Sequence, residues 1–175
     1  TLGLAKYLHD DDDLDAAWHR IAPLAQELPT LGKDRLRATC EYHRLRAKIA
    51  WARGERQSTV TDLRAAADVA DEWCRLQPRR TFAHRLRLMA IDELGQAMLH
   101  LGEPKERLEA NRRAVAATRA MVTNFPGEVP PRVLVVSRCF QLATVLVEAR
   151  RRSHLAEAAE AIATALEFDT ALGDT

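Results

Sequence analysis

Prolines and glycines recur along this chain at one interval. Successive prolines in Leu28-Pro29, Gln77-Pro78 and Phe125-Pro126 are 49 and 48 residues apart. Two glycines, in Arg53-Gly54-Glu55 and Leu101-Gly102-Glu103, are also 48 residues apart. Self-similarity at a period of about 20–50 residues indicates stacked structural repeats before any other kind of fold. The period therefore limits the chain to folds in which similar units follow one another.

Between these marks, apolar residues recur at the three- and four-residue spacing of a helix. Gly and Pro number only seven each, so few turns are expected and the helices should be long. The predicted helices span residues 1–9, 13–28, 34–53, 57–77, 81–101, 104–124, 132–150 and 155–172. Short links make consecutive helices antiparallel. The predicted fold is all-α, with antiparallel helix pairs repeated about three and a half times in a solenoid.

Several segments match the helix-pair signature W-x2-L-G-x2-Y, A-x3-F and P, in which small residues allow close helix approach. The matching segments are Leu4-Ala5-x2-Leu8 with Ala17-x3-Ile21 and Pro29, Ile91-x2-Leu94-Gly95-x2-Met98, Cys139-x2-Leu142-Ala143-x2-Leu146, and Ala158-x3-Ile162. On these segments the chain resembles the tetratricopeptide repeat family. The resemblance implies one helical repeat domain over 1–175, divided at 1–29, 30–78, 79–126 and 127–175.

Some positions depart from the family pattern. The period of 48 or 49 residues exceeds the family's usual length of about 34 residues. Arg107 and Asn111 stand where a small residue and an aromatic residue are expected, and Arg46-Ala47 replaces the Leu-Gly step. Long-period repeats of this kind are similar to those appended to bacterial Ser/Thr kinases and large transcriptional regulators. We therefore expect a piece of a longer bacterial signalling or regulatory protein.

The sequence contains no complete set of residues for a known chemistry. Cys40-x2-His43 could offer two metal ligands, but no second pair lies nearby, so a core cysteine beside a polar histidine is the better interpretation. The glycines are isolated, and none of Ser58, Ser137 and Ser153 has a nucleophile-elbow context. We expect no enzyme activity, no metal and no cofactor.

The resemblance instead implies a protein or peptide partner, bound where the first helix of each pair lines a concave groove. The polar stripe of these helices predicts the groove residues Arg44, Lys48, Asp92, Gln96, His100, Gln141, Thr144 and Glu148. Self-association through the terminal repeats is a further possibility. The chain is thus expected to be a protein–protein interaction or regulatory scaffold module.

The charge distribution leaves nucleic acid as an alternative partner. The net charge is only +1, but residues 32–56 hold eight Lys or Arg against three acids, and residues 75–87 hold five Arg and no acid. This basic middle would suit nucleic acid if its arginines converged on one face with aromatic residues between them. They are spread over several predicted helices, so nucleic acid is the less favoured partner.

The compartment is predicted from the cysteines and from the apolar runs. Cys40, Cys74 and Cys139 are odd in number and far apart, which favours reduced thiols and a cytoplasmic location. No apolar run is expected to reach the roughly 20 residues of a membrane span.

Overall fold

The computed structural model describes residues 14–126 and 128–173. Within these ranges the chain is all-helical, with seven helices of eight residues or more and no strand. The helices are α1 (Leu14–Ile21), the short α2 (Leu24–Glu27), α3 (Arg35–Ala52), α4 (Arg56–Leu76), α5 (Thr81–Leu101), α6 (Pro104–Asn124), α7 (Val129–Glu148) and α8 (Arg152–Gly173). The predicted helix at 1–9 lies outside the described residues.

The helix bounds confirm most of the sequence prediction, and proline explains the differences. The predicted helix at 13–28 is wrong as a single helix, because it breaks after Ile21 at Pro23 and continues as α2 and a 3-10 turn at Leu28–Thr30. Helix α7 begins three residues earlier than predicted. Pro130 and Pro131 fit into its first turn, where a missing N–H breaks no helical bond.

A residue with left-handed backbone follows a helix three times at intervals of 48 residues. After α3 and α5, Gly54 and Gly102 adopt φ values of +74° and +71°. The amide of the following residue then donates to the carbonyl oxygen five residues back, from Glu55 to Ala50 O at 2.8 Å and from Glu103 to Met98 O at 2.9 Å. After α7 the same place is held by Arg150, with φ +50°. Each of these helices therefore ends on a left-handed residue.

The described part of the chain divides after Ala90 into two compact units, which we call unit 1 and unit 2. In unit 1, α3 packs against α4, and α1, α2 and the turns between 28 and 34 also pack against α3. The α3–α4 contact uses small side chains, among them Ala47 and Ala50 on α3 and Ala66 and Ala70 on α4, all buried. Trp51, near the end of α3, is 43% exposed.

In unit 2, α6 packs against α7 and α7 packs against α8. Their core contains Leu108, Val135, Cys139, Leu146 and Ala165. By length and composition alone, Pro130–Glu148 in α7 could cross a membrane, which corrects the expectation that no apolar run is long enough. A single helix of this kind is weak evidence for a span, since core helices of soluble proteins pass the same test, and one face of α7 is buried in the core.

Candidate partner-binding site

A cavity of about 300 Å³ opens within unit 2 between α5, α6 and α7. Its volume lies at the lower end of the range for ligand clefts, about 300–1,000 Å³. Every residue that lines it belongs to unit 2: Ile91, Asp92, Gly95 and Gln96 on α5, Arg107, Ala110, Asn111 and Ala114 on α6, and Arg138, Gln141, Thr144 and Val145 on α7.

Small residues shape the floor of the cavity. A Cβ atom built on Gly95 would lie 3.6 Å from the Cβ of Ala110, which is ordinary van der Waals contact. With hydrogen at Gly95 and methyl groups at Ala110 and Ala114, this wall carries no long side chain that could fill the space. Gly95 thus forms part of the hollow, at a point where α5 and α6 lie within contact distance of each other.

Arg138 connects α7 to α5 across the cavity. Its Nη2 donates to Asp92 Oδ2 at 2.5 Å and its Nη1 to Gln141 Oε1 at 2.7 Å. Its Nε is buried and has no hydrogen-bond partner among the described residues. Burial raises the pKa of Asp92, and the charge and hydrogen bond of Arg138 act in the opposite direction. Arg138 thus favours the ionised form of Asp92, while burial disfavours it.

A second arginine is held in a similar way on α6. Arg107 Nη1 donates to Glu148 Oε2 at 2.8 Å, and Asn111 Nδ2 donates to the carbonyl oxygen of Arg107 at 2.9 Å. Both arginines of the cavity wall are thus matched by carboxylates. The remaining polar lining consists of the carboxamides of Gln96, Asn111 and Gln141 and the hydroxyl of Thr144.

The structure brings together five of the eight predicted groove residues. Four of them line the cavity, and Glu148 lies beside it through its bond to Arg107: Asp92, Gln96, Gln141, Thr144 and Glu148. His100 is exposed on α5 and is not part of the lining.

The other two predicted groove residues lie on α3 in unit 1. Lys48 is exposed, but Arg44 is only 8% exposed, which corrects its expected position on an open polar face. The reason is that α3 is packed by α1, α2 and the 28–34 turns in addition to α4, so little of its circumference faces solvent.

Sequence reasoning missed the other three polar or charged lining residues, Arg107, Asn111 and Arg138. Arg107 and Asn111 had been noted only as departures from the repeat signature, and the structure places both in the cavity lining. Arg138 had no sequence signal of its own, because its importance depends on Asp92, 46 residues away. The sequence signal that could have indicated the site was therefore the pair of polar residues, Arg107 and Asn111, at positions where the repeat signature has packing residues.

The Cys40-x2-His43 pair is divided between two structural contacts in unit 1. Cys40 Sγ donates to Ala66 O at 3.4 Å, and His43 Nδ1 lies 2.9 Å from Asp62 Oδ1. In the part of the chain that the structure describes, no group of three or more His, Cys, Asp or Glu side chains is placed to hold a metal ion.

Several arginines of the basic middle contact carboxylates or aromatic rings. Arg37 pairs with Glu41, Arg46 with the buried Asp62, Arg53 with Asp15 and Glu55, and Arg87 with Asp71. The guanidinium groups of Arg46 and Arg53 also lie over the Trp18 ring, at 5.3 and 5.6 Å from its centroid. Much of this positive charge therefore contributes to the packing of unit 1.

No family model, curated protein or solved structure matches this chain. The resemblance to tetratricopeptide repeats consequently depends on the sequence pattern alone.

Proposed function

We propose that this chain is a protein-interaction module of the tetratricopeptide type, and that it binds an extended segment of a partner protein in the cavity of unit 2. The fold proposed with it is a solenoid of antiparallel helix pairs. Two observations support that fold: the left-handed turn that recurs at residues 54, 102 and 150, and the close approach of Gly95 to Ala110.

The observation that carries the functional proposal is the polar, charge-matched lining of a concave surface. A peptide unit offers one N–H donor and one C=O acceptor, and a carboxamide offers both kinds of group. Gln96, Asn111 and Gln141 therefore suit the main chain of a bound segment. With Arg107 and Arg138 already matched by Glu148 and Asp92, a partner with little net charge fits this lining best.

The cellular setting proposed is a larger cytoplasmic bacterial signalling or regulatory protein. The three cysteines support the reducing compartment, because all of them are buried and none is in a disulfide. The long repeat period supports the type of parent protein through the family resemblance.

The proposal is tested by selecting peptides and then blocking the cavity. Peptides are selected by display on the full chain, and their affinities for variants are measured by fluorescence anisotropy. Thr144 is exposed in the lining, so Thr144→Trp should fill the cavity and weaken the selected peptides by tenfold or more, equivalent to about 1.4 kcal/mol.

Thr123→Trp is the matched control. Thr123 is also exposed on a helix, and its hydroxyl bonds the carbonyl four residues back, as that of Thr144 does. It lies outside the cavity lining. Equal peptide affinities for the two tryptophan variants, or no selected peptide at all, would contradict the proposal.

A further inference from the structure

The lining of the cavity in unit 2 changes from polar at its mouth to apolar at its base. The polar lining residues are half-buried or exposed, so they form the mouth: Asp92, Gln96, Arg107, Asn111, Arg138, Gln141 and Thr144. Four apolar residues of the same lining are buried, so they lie deepest: Ile91, Ala110, Ala114 and Val145. We call these four residues, together with Gly95 beside Ala110, the cavity base.

The mouth and the cavity base suit different parts of a bound segment. The carboxamides at the mouth can pair with the N–H and C=O groups of a main chain that lies across it. The side chains of the cavity base contain no donor or acceptor, so a polar group that entered it would lose its hydrogen bonds to water. An apolar side chain loses none and gains by leaving water. The arrangement therefore favours one apolar side chain pointing inward from a segment held at the mouth.

The arginines of the mouth do not favour a charged side chain in its place. Arg107 already donates to Glu148 at 2.8 Å, and Arg138 donates to Asp92. A charged group from a partner would have to displace one of these carboxylates or enter the cavity base without a counter-charge, and an unpaired buried charge is strongly unfavourable. The chemistry of the cavity thus excludes Asp, Glu, Lys and Arg as the inserted residue.

The size of the cavity limits the inserted group to a single side chain. Its volume of about 300 Å³ is small for a ligand cleft, and part of that volume lies at the mouth, where the main chain passes. The base is closed where α5 and α6 approach, since a Cβ atom on Gly95 would lie 3.6 Å from that of Ala110. One aliphatic side chain of the size of Leu, Ile or Met fits this space.

We propose that the cavity base is a specificity pocket for one aliphatic side chain, Leu, Ile or Met, of the extended segment that binds at the mouth. This inference rests on the proposed function and adds the chemistry by which the site selects a partner.

The first test locates the inserted side chain in a bound peptide. The probe is a peptide selected by display on the full chain whose binding is weakened by Thr144→Trp and not by Thr123→Trp. Each of its positions is replaced in turn by Ala, and affinity is measured by fluorescence anisotropy. One position should hold Leu, Ile or Met, and Ala at that position should weaken binding by about tenfold or more. Glu or Lys there should weaken it at least as much.

Gly95→Ala then tests whether that side chain occupies the cavity base. The added methyl group makes only ordinary contact with Ala110, and alanine is a better helix former than glycine, so the variant should melt no lower than the native chain. Because the methyl group takes up space in the cavity base, the selected peptide should bind about fivefold or more weakly. The same peptide with Ala at the inserted position should bind the variant and the native chain alike.

Ser137→Thr is the matched control, since it adds one methyl group at an exposed position on α7 outside the cavity lining. It should leave the affinities of both peptides unchanged. Equal weakening of the two peptides by Gly95→Ala would overturn the pocket assignment.

The pocket and the proposed function fail in different ways. If Thr144→Trp blocks the selected peptide but every peptide position tolerates Ala, or the essential position is charged, the aliphatic pocket is wrong and the proposed function stands. If Thr144→Trp blocks no selected peptide, the proposed function is wrong and the pocket with it.

Discussion

At the scale of single residues, the best-defined polar contact in unit 2 joins Arg112 on α6 to Glu157 on α8. Arg112 Nε and Nη2 donate to the two carboxylate oxygens at 2.7 and 2.6 Å, a two-pronged geometry that favours both charged groups. The hydrogen bond from Arg112 lowers the pKa of Glu157. The pair is partly exposed, so its contribution to stability is expected to be about 0.5–1 kcal/mol.

Glu157→Gln should therefore lower the free energy of unfolding by about this amount at neutral pH. Since the folded-state pKa of Glu157 is lowered, its stabilisation is present above the ordinary carboxyl range and is lost as the pH falls through the lowered pKa. Urea unfolding at neutral and at acidic pH measures the difference. Glu160→Gln, an exposed neighbour on the same helix, is the control and should change little. A deficit in Glu157→Gln that persists in acid would contradict the assignment.

The site residues show what sequence can and cannot predict at this scale. Asp92, Gln96 and Gln141 were assigned to a polar helix face from spacing alone, and the structure places them around one cavity. Arg44 was assigned in the same way but is buried. Helical spacing determines which residues share a face, whereas burial depends on the elements that cover it. The segment at 14–34 that packs on α3 could not be placed from its own sequence.

At the scale of elements, helix ends were more predictable where proline or glycine determines them. Helices α5 and α6 have the predicted bounds, and Gly102 and Pro104 define the turn between them. A link between 150 and 155 was predicted, but its left-handed residue was not, because Arg150 holds the position that glycine holds in the other two turns. Only the recurrence at 48 residues could have indicated it.

This turn gives a prediction with an internal control. A left-handed conformation costs a non-glycine residue about 1–2 kcal/mol, and the extra freedom of glycine in the unfolded chain offsets part of the gain. Arg150→Gly should therefore stabilise the protein by about 0.5–1 kcal/mol. Gly102→Ala, with φ +71° before substitution, should destabilise it by a similar or larger amount. Thermal unfolding of both variants measures the two signs, and a loss of stability in Arg150→Gly would refute the turn assignment.

At the scale of the whole molecule, the buried thiols report on the opening of each unit. Cys40 lies in unit 1 and Cys139 in unit 2, both fully buried. Cys74, also in unit 1, has its pKa raised to about 11, chiefly by burial. Because the thiolate is the reactive form, a disulfide reagent should label the folded chain slowly at all three sites. The labelling rate then measures the opening that exposes each thiol.

In a stack of repeats, stability is close to a sum of local terms, and opening can be confined to part of the chain. Ile49→Val removes one methylene from the core of unit 1, which costs about 0.5–1.5 kcal/mol. Labelling of Cys40, located by mass spectrometry, should accelerate about two- to tenfold, with a smaller effect at Cys139. Val135→Ala in the core of unit 2 should show the opposite order. If both variants accelerate Cys40 and Cys139 by the same factor, the chain opens as one cooperative block, and a solenoid of locally stabilised repeats is the wrong description of its energetics.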